Sequence, residues 1–380
     1  MRIRRALLWL LAPVAAIAFS LLVSSIALLL IHANPFKAFG DMAAYGMHGN
    51  QIISIVNRAS PLFLSAIAVA IGFKMNLFNI GVEGQYYLAA LLAAAVGAAV
   101  HPSLPGFWNV FVAPLHVTLI LVTAMAVGAV WAGIAGVLKV TRGVSEVIST
   151  IMLNFIAFGI GSYLLLNYLK RATVASDLAT RTREIPRSGL FPDLDKLLGI
   201  TNPNEPLSGF LLVAIAVGVV YYVVVWRTRF GFNLRASGMN PEAARVSGVN
   251  PGAMVIKTML MSGAVAGLVG MLYLLSFFHA YTLDFPTGLG FSGIAIALVG
   301  RNNPIGIAAA SLLFAFLEVS AQILDLNGIP KEVIQIMQGV IILSVVIAYE
   351  LVRRLVQAQD VRAAAQRTRE PTAPVEGVTA

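Results

Sequence analysis

Runs of about twenty consecutive apolar residues recur along the chain, and no other feature limits its fold so strongly. They cover Ala6–Ile31, Ile52–Phe73, Ile80–Val100, Leu115–Leu138, Val144–Leu169, Gly209–Trp226, Ala253–Phe278, Ile305–Leu324 and Glu332–Val352. As helices at about 1.5 Å per residue, each is long enough to span the hydrocarbon core of a bilayer. Only 11% of residues are charged and 58% are hydrophobic, against about 25% and about 45–50% in soluble domains. A surface facing water needs charge, so a soluble enzyme and a disordered chain are both excluded. A β-barrel would alternate polar and apolar residues in short segments, whereas these runs are continuous. The chain reads as an all-α, polytopic membrane helix bundle.

One more apolar run, Gly288–Gly300, has 13 residues and is too short for a full crossing. With it, the sequence predicts about ten spans, some broken or half-length, with both termini on one side. Short loops rich in Lys and Arg gather on that side, which makes it the cytoplasmic face. The net charge of +9 has the same explanation, and no nucleic-acid partner is expected. Residues 1–352 form the membrane domain. The polar segment 170–208 is extracytoplasmic, and 353–380 is a polar, disordered cytoplasmic tail. The first apolar run exceeds the roughly 7–15 residues of a signal peptide, so it reads as an uncleaved helix in a multi-pass protein of the inner, cytoplasmic membrane. There are no cysteines, and the five histidines lack metal-ligand spacing; the histidines read as loop or helix-end residues.

Two segments depart from plain spans. In Gly72–Gln85, the polar residues Lys74, Asn76, Asn79, Glu83 and Gln85 interrupt two apolar runs. Asn79 is placed to N-cap the following helix, and Glu83 falls in its first turns, where the helix dipole favours an anion. This is either a broken helix lining a translocation path or gate, or an ordinary cytoplasmic hairpin. Asn154 and Glu318 are isolated polar residues inside spans. Glu318 is costly against lipid, so it must face the bundle interior or pair with a neighbour such as Gln322. Asn79, Glu83, Gln85, Asn154 and Glu318 are therefore the candidates for lining a path.

The second segment lies in the basic loop Arg227–Pro251. Asn240 is an N-cap, Pro241 takes the first helical position, and Glu242 suits the dipole. Ala243 and Ala244 favour helix, Arg245 lies in the last turn, and Gly248 is the stop. Two helical turns cannot stand alone in water. The element must dock, either on its own chain or on a cytoplasmic partner.

No Gly-x-x-x-x-Gly-Lys-Ser/Thr run is present, since no lysine follows a glycine. The chain is expected to hydrolyse no ATP and to carry no cofactor. Its spans hold few ionisable groups, which favours a passive path driven by a separate motor over a proton-coupled secondary carrier.

These segments resemble the permease subunits of bacterial ABC importers, in the branch serving simple sugars and nucleosides. The resemblance rests on Leu77–Gln85, on Asn240–Val249, and on Gly288–Gly300 followed by Asn303–Ile307. It implies that Asn240, Pro241, Glu242, Ala243, Ala244, Arg245 and Gly248 form a coupling helix seated on an ATPase subunit that binds ATP and Mg. It further implies a second permease subunit, the same or paralogous, and an extracytoplasmic solute-binding lipoprotein. The two alanines would permit close approach to the ATPase.

Overall fold

The computed structural model describes residues 18–26, 28–100, 111–171, 179–195, 199, 205–330 and a few isolated positions between 336 and 354. The chain divides into a large unit, residues 41–323, and a terminal unit of residues 1–40 and 324–380. The described part of the terminal unit holds helix α1 (Ala18–Leu30) and the start of α2 (Pro35–Gly46).

In the large unit the chain runs through α3 (Gly49–Phe73), α4 (Val82–Ala99), α5 (Val112–Arg142) and α6 (Glu146–Leu164). It continues through α7 (Phe210–Tyr222), α8 (Arg229–Met239), α9 (Pro241–Val246), α10 (Pro251–Gly267), α11 (Leu289–Val299) and α12 (Pro304–Leu326). The helices α6, α7 and α10 are followed by π-helical stretches at Leu165–Leu169, Val223–Arg227 and Tyr273–Phe278.

Among the described residues, six helices are long and apolar enough to cross a membrane, or seven if α1 and α2 count as one bent span. The reading of about ten spans included runs that the structure divides. Ala253–Phe278 is cut at Leu268–Gly270, between α10 and its π-helical sequel. Gly288–Gly300 is the 11-residue α11. The run 332–352 falls almost wholly outside the described residues, as does the tail.

The apolar windows of α3 and α4 are 72% and 78% buried, while those of α5, α6 and α7 are 28–33% buried. Helices α3 and α4 are thus central, and the other three present a broad apolar face to lipid. Lipid is as apolar as leucine, so helices associate through close van der Waals packing of small residues. On α5 the buried stripe is Ile120, Ala124, Gly128 and Ala132. It meets Gly263 and Gly267 of α10 so closely that a Cβ on Gly128, Gly263 or Gly267 would strike the partner's backbone. Gly293 of α11 lies against Ser65 of α3 in the same manner, and Ser65 Oγ donates to the Leu289 carbonyl at 2.8 Å.

The described parts of 170–208 are docked rather than free. Thr182 N donates to the Tyr281 carbonyl and Ile185 N to that of His279, both at 2.9 Å. His116, one of the histidines read as loop or helix-end residues, lies near the start of α5. It is buried, bonded to the Gly97 carbonyl at 3.0 Å and to Ser188 Oγ at 2.9 Å. The basic loop Arg227–Pro251 also proves more ordered than its charge suggests, because α8 precedes the short helix. Thr228 caps α8, accepting from Gly231 N at 3.1 Å. Leu234 is fully buried among Met75, Leu77, Ala135, Leu153, Met254 and Met259, with Phe230 packed at its edge.

Candidate functional site

The α9 element follows its local rules. Asn240 Oδ1 accepts from the backbone N–H of Glu242 and Ala243, each at 3.0 Å, and Pro241 opens the helix. Gly248 has φ +82°, the left-handed conformation that ends a helix without strain. Val249 N then donates to the Ala244 carbonyl at 3.0 Å. Asn250 caps the next helix, accepting from Ala253 N at 3.0 Å. Pro241, Glu242, Ala243 and Arg245 are exposed. Ala244 is not, at 4%. That corrects the expectation that both alanines face a partner: Ala244 seats the helix on its own chain. The apolar residues turned outward are Val246, 90% exposed, and Met239, 85% exposed. The sequence reading singled out neither, although an apolar residue beside Arg245 on a two-turn helix was a signal.

The α8–α9 pair is attached to the break between α3 and α4. Asn76 Nδ2 donates to the Gly238 carbonyl at 2.6 Å. A Cβ on Gly238 would lie 2.6 Å from Met75 Cα, so only glycine allows this approach. Lys74 Nζ sits 4.9 Å over the Trp226 ring. Burial, and then the neighbouring Arg235 cation, hold the Lys74 ammonium below the usual lysine range.

The break is buried in the bundle. Asn79 is not the N-cap of α4; Gly81 holds that position. The Asn79 side chain instead exchanges two bonds with the Gln85 amide, at 3.0 and 2.8 Å. It also donates to Ser262 Oγ at 2.8 Å and accepts from Gly81 N at 3.1 Å. Ser262 Oγ donates to the Ala68 carbonyl at 2.6 Å, which places Asn79 about 8 Å back along α3 from its end. Asn154 of α6 donates to the Ile80 carbonyl at 3.0 Å and accepts from Gly84 N at 2.8 Å. That bond serves a first-turn N–H of α4 that has no partner within its own helix.

Glu83 binds the half-length helix. Its Oε1 accepts from Gly288 N at 2.5 Å and Oε2 from Gly290 N at 2.7 Å. The Tyr86 hydroxyl donates to Oε1 at 2.8 Å and lies 2.9 Å from the Pro286 carbonyl. The carboxylate therefore caps the N-terminus of α11, where free N–H groups and the helix dipole both favour an anion. Asn79, Glu83, Gln85 and Asn154 are all buried, and in this conformation they bond one another and the backbone.

Glu318 stands apart from these four. Its carboxylate lies 3.9 Å from Arg58 Nε, not against Gln322, whose Oε1 accepts from the Tyr45 hydroxyl at 3.3 Å. Arg58 lies about 14 Å into α3 from its start. It lines a cavity of about 590 Å³ with Gln51, Ser54, Glu205, Tyr273 and Gln322, at the end of α3 remote from α9. Glu205 is held there by Ser54 Oγ at 2.6 Å and Asn57 Nδ2 at 2.9 Å.

The family model described as branched-chain amino acid transport system / permease component matches residues 51–346. The chain is 29% identical to the nucleoside ABC transporter permease protein NupB of Lactococcus lactis, over 93% of this chain and 95% of that protein. It is 33% identical to the glucose ABC transporter permease protein TsgB13 of Haloferax volcanii, over 88% and 86%. It is 35% identical to the guanosine ABC transporter permease protein NupP of Bacillus subtilis, over 78% and 81%. No solved structure matches the chain.

Proposed function

The chain belongs to the family of branched-chain amino acid transport system permease components, and from that membership we propose that it forms the translocation path of an ATP-driven importer for a nucleoside or simple sugar. Its relatives are named as permeases for nucleosides, guanosine and glucose. In this reading the chain performs no chemistry. A separate ATPase subunit binds ATP and Mg, a second permease of the same kind completes the path, and an extracytoplasmic lipoprotein delivers the solute. Both termini lie in the cytoplasm, in the cell membrane.

The observation that carries the reading is the outward face of α9. A two-turn helix that buries only Ala244 in its own chain and presents Val246 to solvent, beside the exposed Met239 that ends α8, is a ready contact for a partner groove. Behind it runs a continuous linkage. The partner moves α9, α8 follows through the short connection at Asn240, and Gly238 presses on Met75 and Asn76. The break carries the motion to Glu83, and Glu83 carries it to α11 through Gly288 and Gly290. Such stiff contacts transmit a displacement because packed interfaces have discrete arrangements rather than continuous give.

Proteoliposomes holding the chain with its ATPase and second permease, loaded with the solute-binding lipoprotein outside, test this. ATP inside drives uptake of nucleoside or sugar, and the chain alone drives none. Accumulation by the isolated chain on a proton gradient would instead make it a secondary carrier, with Arg58 and Glu318 as its ionisable pair.

A further inference from the structure

We propose that the cavity beside Arg58 is a binding site for an uncharged nucleoside; this rests on the permease reading and assigns that path its substrate contacts. One wall is aromatic. The segment Tyr273–Phe278 is π-helical, and its wider turn brings residues four and five apart to the same side. Tyr273, Phe277 and Phe278 accordingly all line the cavity. Tyr273 lies 6.1 Å from each of the other two rings, stacked on Phe278 and tilted 47° from Phe277, so the rings brace one another and give a flat base an aromatic wall to pack on. A hexose can also lay its C–H face on such a wall, but it lacks the π-face through which a base stacks.

Polar side chains complete the lining. The side-chain amides of Gln51 and Gln322 offer paired donors and acceptors of the kind that match base edges. Glu205 is fixed by Ser54 and Asn57, and a carboxylate held in this way accepts the two hydroxyls of a ribose, as acidic residues do in dinucleotide sites. Arg58 stands near both Glu205 and Glu318. Among the lining residues the one guanidinium, Arg58, is matched by the one carboxylate, Glu205, so no net positive charge is left to hold a phosphate, which favours the nucleoside over its nucleotide. At about 590 Å³ the cavity falls within the range of small-ligand sites, about 300–1,000 Å³.

The test uses the whole complex in lipid nanodiscs without the solute-binding lipoprotein. Photolabelling with 8-azidoadenosine, followed by peptide mapping, is expected to modify Tyr273, Phe277 or a neighbour in the cavity. Adenosine and uridine compete for the label, whereas glucose and AMP do not. Tyr273→Ala lowers labelling at least about fivefold, as loss of a base-stacking ring does. Glu205→Gln lets AMP compete. Labelling confined to residues outside the cavity, no labelling, or equal competition by glucose or AMP in the unmodified complex overturns the proposal. If ATP still drives uptake while the cavity stays unlabelled, the site is wrong and the permease reading stands. If ATP drives no uptake of any solute, the permease reading fails and takes the site with it.

Discussion

Glu83 illustrates how a carboxylate is kept inside a membrane bundle with no cation bonded to it among the described residues. Two backbone N–H groups and a tyrosine hydroxyl satisfy it at a helix terminus. In Glu83→Gln one oxygen becomes an NH₂ group and an N–H of α11 loses its acceptor. A hydrogen bond to a charged group contributes about 1.5–3 kcal/mol, so a loss of that order is expected, read as a lower unfolding temperature of the purified complex. Asn240→Ala removes a cap, at about 1 kcal/mol, and Asn240→Asp keeps it. ATP-driven uptake should fall in the alanine variant and persist in the aspartate variant, with equal amounts of complex. These two residues also mark what a sequence discloses. Asn240, Pro241 and Gly248 obey rules within a few residues of one another and were legible. Glu83 was legible as a first-turn anion, but its backbone partners lie 205 and 207 positions away, and no local rule reaches them.

At the scale of elements, two glycines make opposite predictions. Gly263→Val drives a side chain into the α5 backbone at Gly128. The helix crossing cannot form, and the protein should disappear from membranes on an immunoblot. Gly238→Val pushes α8 away from Met75 at the periphery of the bundle. That variant should insert and assemble normally, yet hydrolyse ATP without driving uptake. Apolar runs and small-residue spacing made the long helices readable, since period and length are local properties. Helix α8 was hidden because Arg229 and Arg235 made the stretch look like a solvated loop. The four-residue spacing of Phe230 and Leu234 was the signal of its buried face. The division of Ala253–Phe278 was not legible at all, because its residues are apolar on both sides of the turn.

For the whole molecule, the claim is that a path without a motor is driven from outside through α9. The linkage from α9 to α11 makes sense of a buried break that otherwise only complicates the fold. It also explains why the polar cavity and the α9 helix occupy opposite ends of α3, one for solute and one for force. The chain has no cysteine, so a single introduced thiol gives an unambiguous contact. The most direct measurement is therefore cross-linking from Val246→Cys, with a thiol-to-amine reagent, in membranes that contain the whole transporter. The account predicts an adduct with the ATPase subunit whose yield changes when ATP is added, while a thiol at buried Ala244 gives little. Full ATP-driven uptake with no ATPase adduct at Val246 would contradict it.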